Sequence, residues 1–169
     1  MSIDIDISSC VFILLAAGKG TRFKNTDDNY NLPKQFHSIN GKPIFIYSLM
    51  TFLKFCSERG GGKILLVVPE GYEKYTLQIT QKFLMQKNTI EKDQKDGICN
   101  FDENIIEIIT GGKSRAHSVY NAIKYIEDRK REDINFRKIK YAMIHDSARP
   151  FLNEKILSNI LDELRLNNN

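Results

Sequence analysis

Four short apolar runs, spaced along the chain and separated by segments of helical character, limit what this sequence can fold into more than any other feature. Val11 to Leu15 reads VFILL, Lys63 to Val68 reads KILLVV, Ile105 to Ile109 reads IIEII and Ile139 to Ile144 reads IKYAMI. Continuous apolar runs of this length predict strands covered on both faces. Between and after them the spacing predicts helices: Pro43 to Phe55 with proline at the first helical position, Tyr72 to Met85, Ser114 to Asp128 with Val119, Ile123 and Ile126 on one face, and a last helix capped by Asn153 and running to about Arg165. Strict alternation of strand and helix predicts an α/β fold with three α/β/α layers around a mostly parallel sheet. In open sheets of this type ligands bind beyond the carboxyl ends of the strands. The residues with chemistry to offer fall there: 16–22 after the first strand, 111–118 after the third and 145–150 after the fourth.

The length of 169 residues predicts a single domain, 1–169. Within it, 87–104 is polar, charged and without apolar periodicity, and reads as a surface insertion. Residues 128–138 read as a charged connection. The net charge of +4, from 25 basic and 21 acidic residues, is small and scattered. It forms no basic stripe, which argues against nucleic acid as a partner. Cys10, Cys56 and Cys99 are far apart and odd in number, so neither a disulfide framework nor a zinc site is indicated. Cys10 and Cys56 sit in apolar runs and read as buried small hydrophobes. No apolar stretch approaches the length of a membrane span. The first nine residues carry Asp4 and Asp6 and no basic residue, unlike a signal or transit peptide. The expected compartment is the cytosol.

Ala16-Ala17-Gly18-Lys19-Gly20-Thr21-Arg22 follows the first strand. Small residues and glycines allow backbone N–H groups to approach a phosphate chain, and the Arg22 guanidinium adds a planar donor fork. A plain strand-to-helix turn accounts for one glycine but not for the cation. The segment is not a dinucleotide fingerprint, because Phe23 stands where a third glycine is needed, and it lacks the Gly-Lys-Ser/Thr of a Walker loop. Next comes Leu32-Pro33-Lys34-Gln35-Phe36. Pro33 fixes the chain before Lys34, and a lysine held at an α-phosphate stabilises charge building in phosphoryl transfer. Alone, Lys34 would read as a solvated surface lysine. The Gly-rich segment before it and Gly41-Lys42-Pro43 after it favour the functional reading.

A-A-G-x-G-x-R, then P-K-Q, then G-K-P-I resembles the opening of the nucleotidyltransferases with a Rossmann-like fold. Gly111-Gly112-Lys113-Ser114-Arg115-Ala116-His117-Ser118-Val119 and His145-Asp146-Ser147-Ala148-Arg149-Pro150 are similar to the G-G-x-x-R-x-x-S-V and H-D-x-A-R-P of the 2-C-methyl-D-erythritol 4-phosphate cytidylyltransferases. The matches stand in the family's order. The resemblance implies CMP transfer from CTP to methylerythritol phosphate with release of pyrophosphate. It implies Arg22 and Lys34 as catalytic residues on the triphosphate. The nucleotide would be held by Ala16, Ala17, Gly18, Gly20, Gly112, Ser118 and Ser147, the acceptor phosphate by Arg149, and Mg²⁺ by Asp146, whose carboxylate is a hard donor suited to that ion. Arg115 reads either as ligand-facing, one turn from Ser118, or as a helix-surface arginine. Asp146 has the competing reading of a turn cap. His145 reads as structural, and His37 and His117 have no assigned role.

The sequence departs from the family at Lys113, where an acidic residue is common, and in the segment 87–104. The resemblance also implies further strands and helices after the one that follows Pro150, including an arm that pairs two subunits into a homodimer and completes the acceptor site. The expectation is a C-terminally truncated domain that binds CTP·Mg²⁺ and turns over slowly or not at all. The alternatives are a cytidylyltransferase for ribitol 5-phosphate, from which Ser147-Ala148 leans away, and a non-catalytic CTP-binding protein.

Overall fold

The computed structural model describes residues 5–18, 32–90 and 105–167, with the backbone alone over 86–90. Strand β1 (Cys10–Leu15) is completely enclosed, as its continuous apolar run requires. A 3-10 turn over Lys34–Phe36 leads into a two-residue antiparallel ribbon, β2 (Ser38–Ile39) with β3 (Lys42–Pro43). Helix α1 (Ile44–Glu58) follows, then β4 (Lys63–Val68), α2 (Glu73–Ile90), β5 (Ile106–Thr110), α3 (Arg115–Glu132), the short α4 (Ile134–Arg137), β6 (Tyr141–Asp146) and α5 (Glu154–Asn167). The alternation read from the sequence is present, and the main sheet is parallel throughout with strand order β5-β4-β1-β6.

That order explains the layers. From β1 the chain steps through α1 to β4 and through α2 to β5, always in one direction. It then returns past β1 to β6 through α3. Right-handed crossovers put helices on opposite faces when the direction reverses. Alternate residues of β1 divide accordingly. Cys10, Phe12 and Leu14 pack with α1, α2 and α5, through residues such as Phe52, Leu84 and Leu157. Val11, Ile13 and Leu15 pack with α3 and α4, through Ala122, Ile126 and Phe136. Phe12 is the centre of the first layer, with its ring centroid 5.0 Å from Phe52 and 5.9 Å from Phe55. Full burial of such a side chain contributes about 1.5–3 kcal/mol.

Several boundaries differ from the sequence expectation. Pro43 precedes α1 as its cap residue and pairs in β3 rather than opening the helix. Gly60 stops α1 with a φ of 68°, while the Gly61 N–H donates to the Cys56 carbonyl at 3.1 Å. Helix α2 continues to Ile90, so the start of the segment read as an insertion is helical; 91–104 lies outside the described residues. The charged stretch 128–138 belongs mostly to α3 and α4, because the Asp133 carboxylate caps α4 by accepting from the Asn135 N–H at 2.8 Å. On α3 the buried residues are Ser118, Ala122 and Ile126, and Ile123 faces outward at 40 % exposure. Strand β6 begins at Tyr141, two residues after the start of its apolar run, and ends at Asp146, whose pairing with Leu15 completes the ladder. Asn153 caps α5 as expected, its side chain accepting from the Ile156 N–H at 3.0 Å. Cys10 and Cys56 are buried thiols, and burial pushes Cys56 up to about 12. Cys99 lies outside the described residues. Among the described residues no helix is long and apolar enough to cross a membrane.

Candidate active site

The reversal of strand order falls between β1 and β6, and the crevice beyond their carboxyl ends is where an open α/β sheet takes a ligand. Ala16, Ala17 and Gly18 leave β1 there. Ala16 is still tied to the sheet, its N–H donating to the Val67 carbonyl at 2.7 Å. The buried Gln35 amide then donates to the carbonyls of both Ala16 and Gly18, the latter at 3.1 Å. Gln35 therefore fastens the 3-10 turn onto the start of the glycine-rich segment. Its neighbour Lys34 stands exposed on that turn. Gly20 and Arg22 lie outside the described residues.

The end of β5 closes on the same place. The Gly111 N–H donates to the Val68 carbonyl at 2.7 Å. A Cβ on Gly111 would lie 2.3 Å from the Ala17 Cβ and 2.9 Å from the Ser118 Oγ. Only glycine allows these segments to touch. The hydroxyl of Ser118, 3 % exposed, accepts from the Gly112 N–H at 3.0 Å and donates to the Ser114 carbonyl at 3.0 Å. Ser114 is also the N-cap of α3, its side chain accepting from the His117 N–H at 3.1 Å. Ser118 thus holds the glycine pair against the first turn of α3. At the outer edge of β5, the Thr110 hydroxyl donates to Glu73 and holds that carboxyl below its usual value, which ties α2 to the same mouth.

Asp146 ends β6, and Arg115, the first residue of α3, reaches it with Nε 3.0 Å from Oδ1. Arg149 approaches the other oxygen, Nε to Oδ2 at 3.7 Å. Both guanidiniums are largely exposed, at 63 % and 79 %, against 33 % for the carboxylate. Ser147 is buried, and its N–H donates to the Leu15 carbonyl at 3.0 Å. His145 has the structural contacts expected of it. Its Nε2 lies 3.0 Å from the Arg149 carbonyl and 3.2 Å from the Ser48 Oγ, and its ring stands edge-on to Phe52. These contacts anchor the Arg149 turn to α1.

Contacts therefore run without a break from Lys34–Gln35 to Ala16–Gly18, to Gly111–Ser118, to Arg115 and Asp146, and back to Leu15 through Ser147. The described residues that the sequence singles out for the nucleotide and the cation follow the carboxyl ends of β1, β5 and β6 or pack against them, joined by this chain of contacts. Sequence reading missed two connections. Gln35 was part of a motif but had no role, because its partners are backbone carbonyls. Arg115 fits two readings in the sequence, because its partner lies on a strand 31 positions away. Among the described residues there is no group of three or more His, Cys, Asp or Glu that could hold a metal by themselves.

A parallel sheet between two layers of helices, with glycines and two arginines beyond the carboxyl ends of its strands, is a three-layer α/β/α domain of Rossmann-like type. Residues 10–168 match the family described as IspD, 2-C-methyl-D-erythritol 4-phosphate cytidylyltransferase, and the chain belongs to that family. It is 35% identical to the bifunctional enzyme IspD/IspF of Pelagibacter ubique, over 95% of this chain and 33% of that protein. It is 32% identical to the 2-C-methyl-D-erythritol 4-phosphate cytidylyltransferase of Thermosipho africanus, over 92% of this chain and 54% of that protein. With the enzyme of that name from Clostridium kluyveri the identity is 35%, over 86% of this chain and 48% of that protein. The crystal structure of the 4-diphosphocytidyl-2C-methyl-D-erythritol synthase of Anaerococcus prevotii shares the fold, with a TM-score of 0.58 at 18% identity, over 92% of this chain and 51% of that one. The chain spans about half the length of these single-function relatives.

Proposed function

We propose that this chain carries the CTP-binding and cation-anchoring part of a 2-C-methyl-D-erythritol 4-phosphate cytidylyltransferase. A phosphate oxygen of the acceptor attacks the α-phosphorus of CTP, the bond to the bridging oxygen of the β-phosphate breaks, and pyrophosphate leaves with CDP-methylerythritol as the product. The observation that supports this reading is the contact path from Gln35 to Asp146, which links the ends of β1, β5 and β6 in a member of the family.

The backbone N–H groups of 17–18 and the Lys34 ammonium take the phosphate chain, joined by Gly20 and Arg22, while Ala16, its own N–H held by the sheet, lines the nucleotide's path. Gly112 and Ser118 border the base, Ser147 supports the nucleotide from beneath, and Arg149 takes the acceptor's phosphate. Asp146 offers one hard carboxylate at a strand end. That donor set fits Mg²⁺, which keeps much of its water and shares substrate phosphates rather than filling an all-protein cage. When bound, the ion neutralises charge on the triphosphate. The rest of catalysis is positioning and electrostatic stabilisation by the chain's own groups.

Calorimetric titration with CTP in the presence of Mg²⁺, alongside a pyrophosphate-release assay with methylerythritol phosphate, tests the reading. CTP should bind, and any turnover present should drop by roughly 10²–10³-fold in Lys34→Ala, the scale for losing one transition-state donor. Absence of CTP binding, or a Lys34→Ala variant turning over like its parent, counts against it.

A further inference from the structure

We infer that Arg115 is a placeholder on Asp146, one that an incoming divalent cation must displace, so that cation and nucleotide bind this chain cooperatively. The inference rests on the reading of Asp146 as the cation's anchor and adds a role for its neighbour. Arg115 Nε lies within hydrogen-bonding distance of Oδ1, and Arg149 stands by Oδ2. One negative charge therefore sits between two positive ones. A dication arriving alone meets net repulsion and must break the Arg115 contact with nothing to replace it.

A cation that arrives with a triphosphate changes the balance. Arg115 is the first residue of α3, at the positive end of the helix, beside the Gly111-Gly112 segment. Phosphate oxygens that arrive with the cation at Asp146 can take the guanidinium's fork bidentately while the cation takes Oδ1. The pair is easily exchanged, because an ion pair this exposed is weakly held. The nucleotide thereby frees the carboxylate for the cation, and by linkage the cation raises nucleotide affinity by the same factor. Arg115 is a positioning residue: it acts through Asp146.

The test is Mn²⁺ binding followed by electron paramagnetic resonance, with and without CTP, in the parent chain and in Arg115→Gln, Arg115→Ala and Asp146→Asn. Without CTP, both Arg115 variants should bind Mn²⁺ roughly two- to fivefold more tightly than the parent, the range for release of an exposed pair. The gain in Mn²⁺ affinity produced by CTP should shrink in them. An arginine that only orients Asp146 would give the reverse, weaker Mn²⁺ binding once it is removed. Unchanged or weaker binding in the Arg115 variants, with binding lost in Asp146→Asn, overturns the placeholder and leaves the anchor standing. Parent-like binding in Asp146→Asn removes the anchor and the inference with it.

Discussion

Gln35 and Gly111 do at the residue scale what the named motifs alone do not explain. Lys34, Gly112 and Asp146 draw a proposed role from the sequence because their chemistry belongs to their own side chains or amides. Gln35 draws none, because its hydrogen bonds go to two carbonyls 17 and 19 positions earlier. The two glycines of the β5 loop look equivalent in sequence, yet they differ in what surrounds them. A methyl on Gly111 would lie 2.3 Å from the Ala17 Cβ, and one on Gly112 would lie 2.5 Å from the His117 Cγ and 2.7 Å from its Cβ, an atom that the α3 backbone fixes. Gly111→Ala and Gly112→Ala should therefore each cost about 1–3 kcal/mol, as overpacking does, and each should weaken CTP binding. Thermal melts with CTP titrations on the two variants check this, and a variant that melts and binds like its parent would contradict it.

Among the elements, α3 is legible from its period, and of the face read as inward Ile126 is buried and Val119 packs against the core, while Ile123 turns outward. Ile123 looked like a core residue because it is large, whereas Ala122 takes the buried place because the helix lies close to the sheet. The charged stretch after it concealed a network that only the fold assembles. Tyr125 donates to Glu107 on β5, and Arg129 reaches Glu107 at 3.4 Å and Asp133 at 3.2 Å while lying over the Phe136 ring. Desolvation first, then the Glu107 hydrogen bond and charge, pushes the Tyr125 phenol from its ordinary 10.0 up to about 12. The folded state thus favours the neutral phenol, so its contribution is complete below about pH 10 and is lost as pH rises from there through about 12. The melting temperature should fall more steeply across that window in the parent than in Tyr125→Phe. Parallel profiles would show that the phenol is not coupled to folding.

For the whole molecule, alternation of strand and helix was enough to predict the parallel sheet, because the connection rules leave few arrangements. The strand order and the assignment of α1, α2 and α5 to one face were not legible, since any of several directions around β1 satisfies the same period. They matter because they put the reversal of strand order between β1 and β6, beside Asp146. Separate strand ends should form one nucleotide cradle there, and amide chemical-shift mapping by nuclear magnetic resonance, on titration with CTP and Mg²⁺, tests this. Shifts should gather on Ala16–Gly18, Lys34–Gln35, Gly111–Ser118 and Asp146–Arg149, and spare the opposite end of the sheet at Lys63 and Tyr141. Shifts confined to one of these segments, or centred on that opposite end, would contradict it.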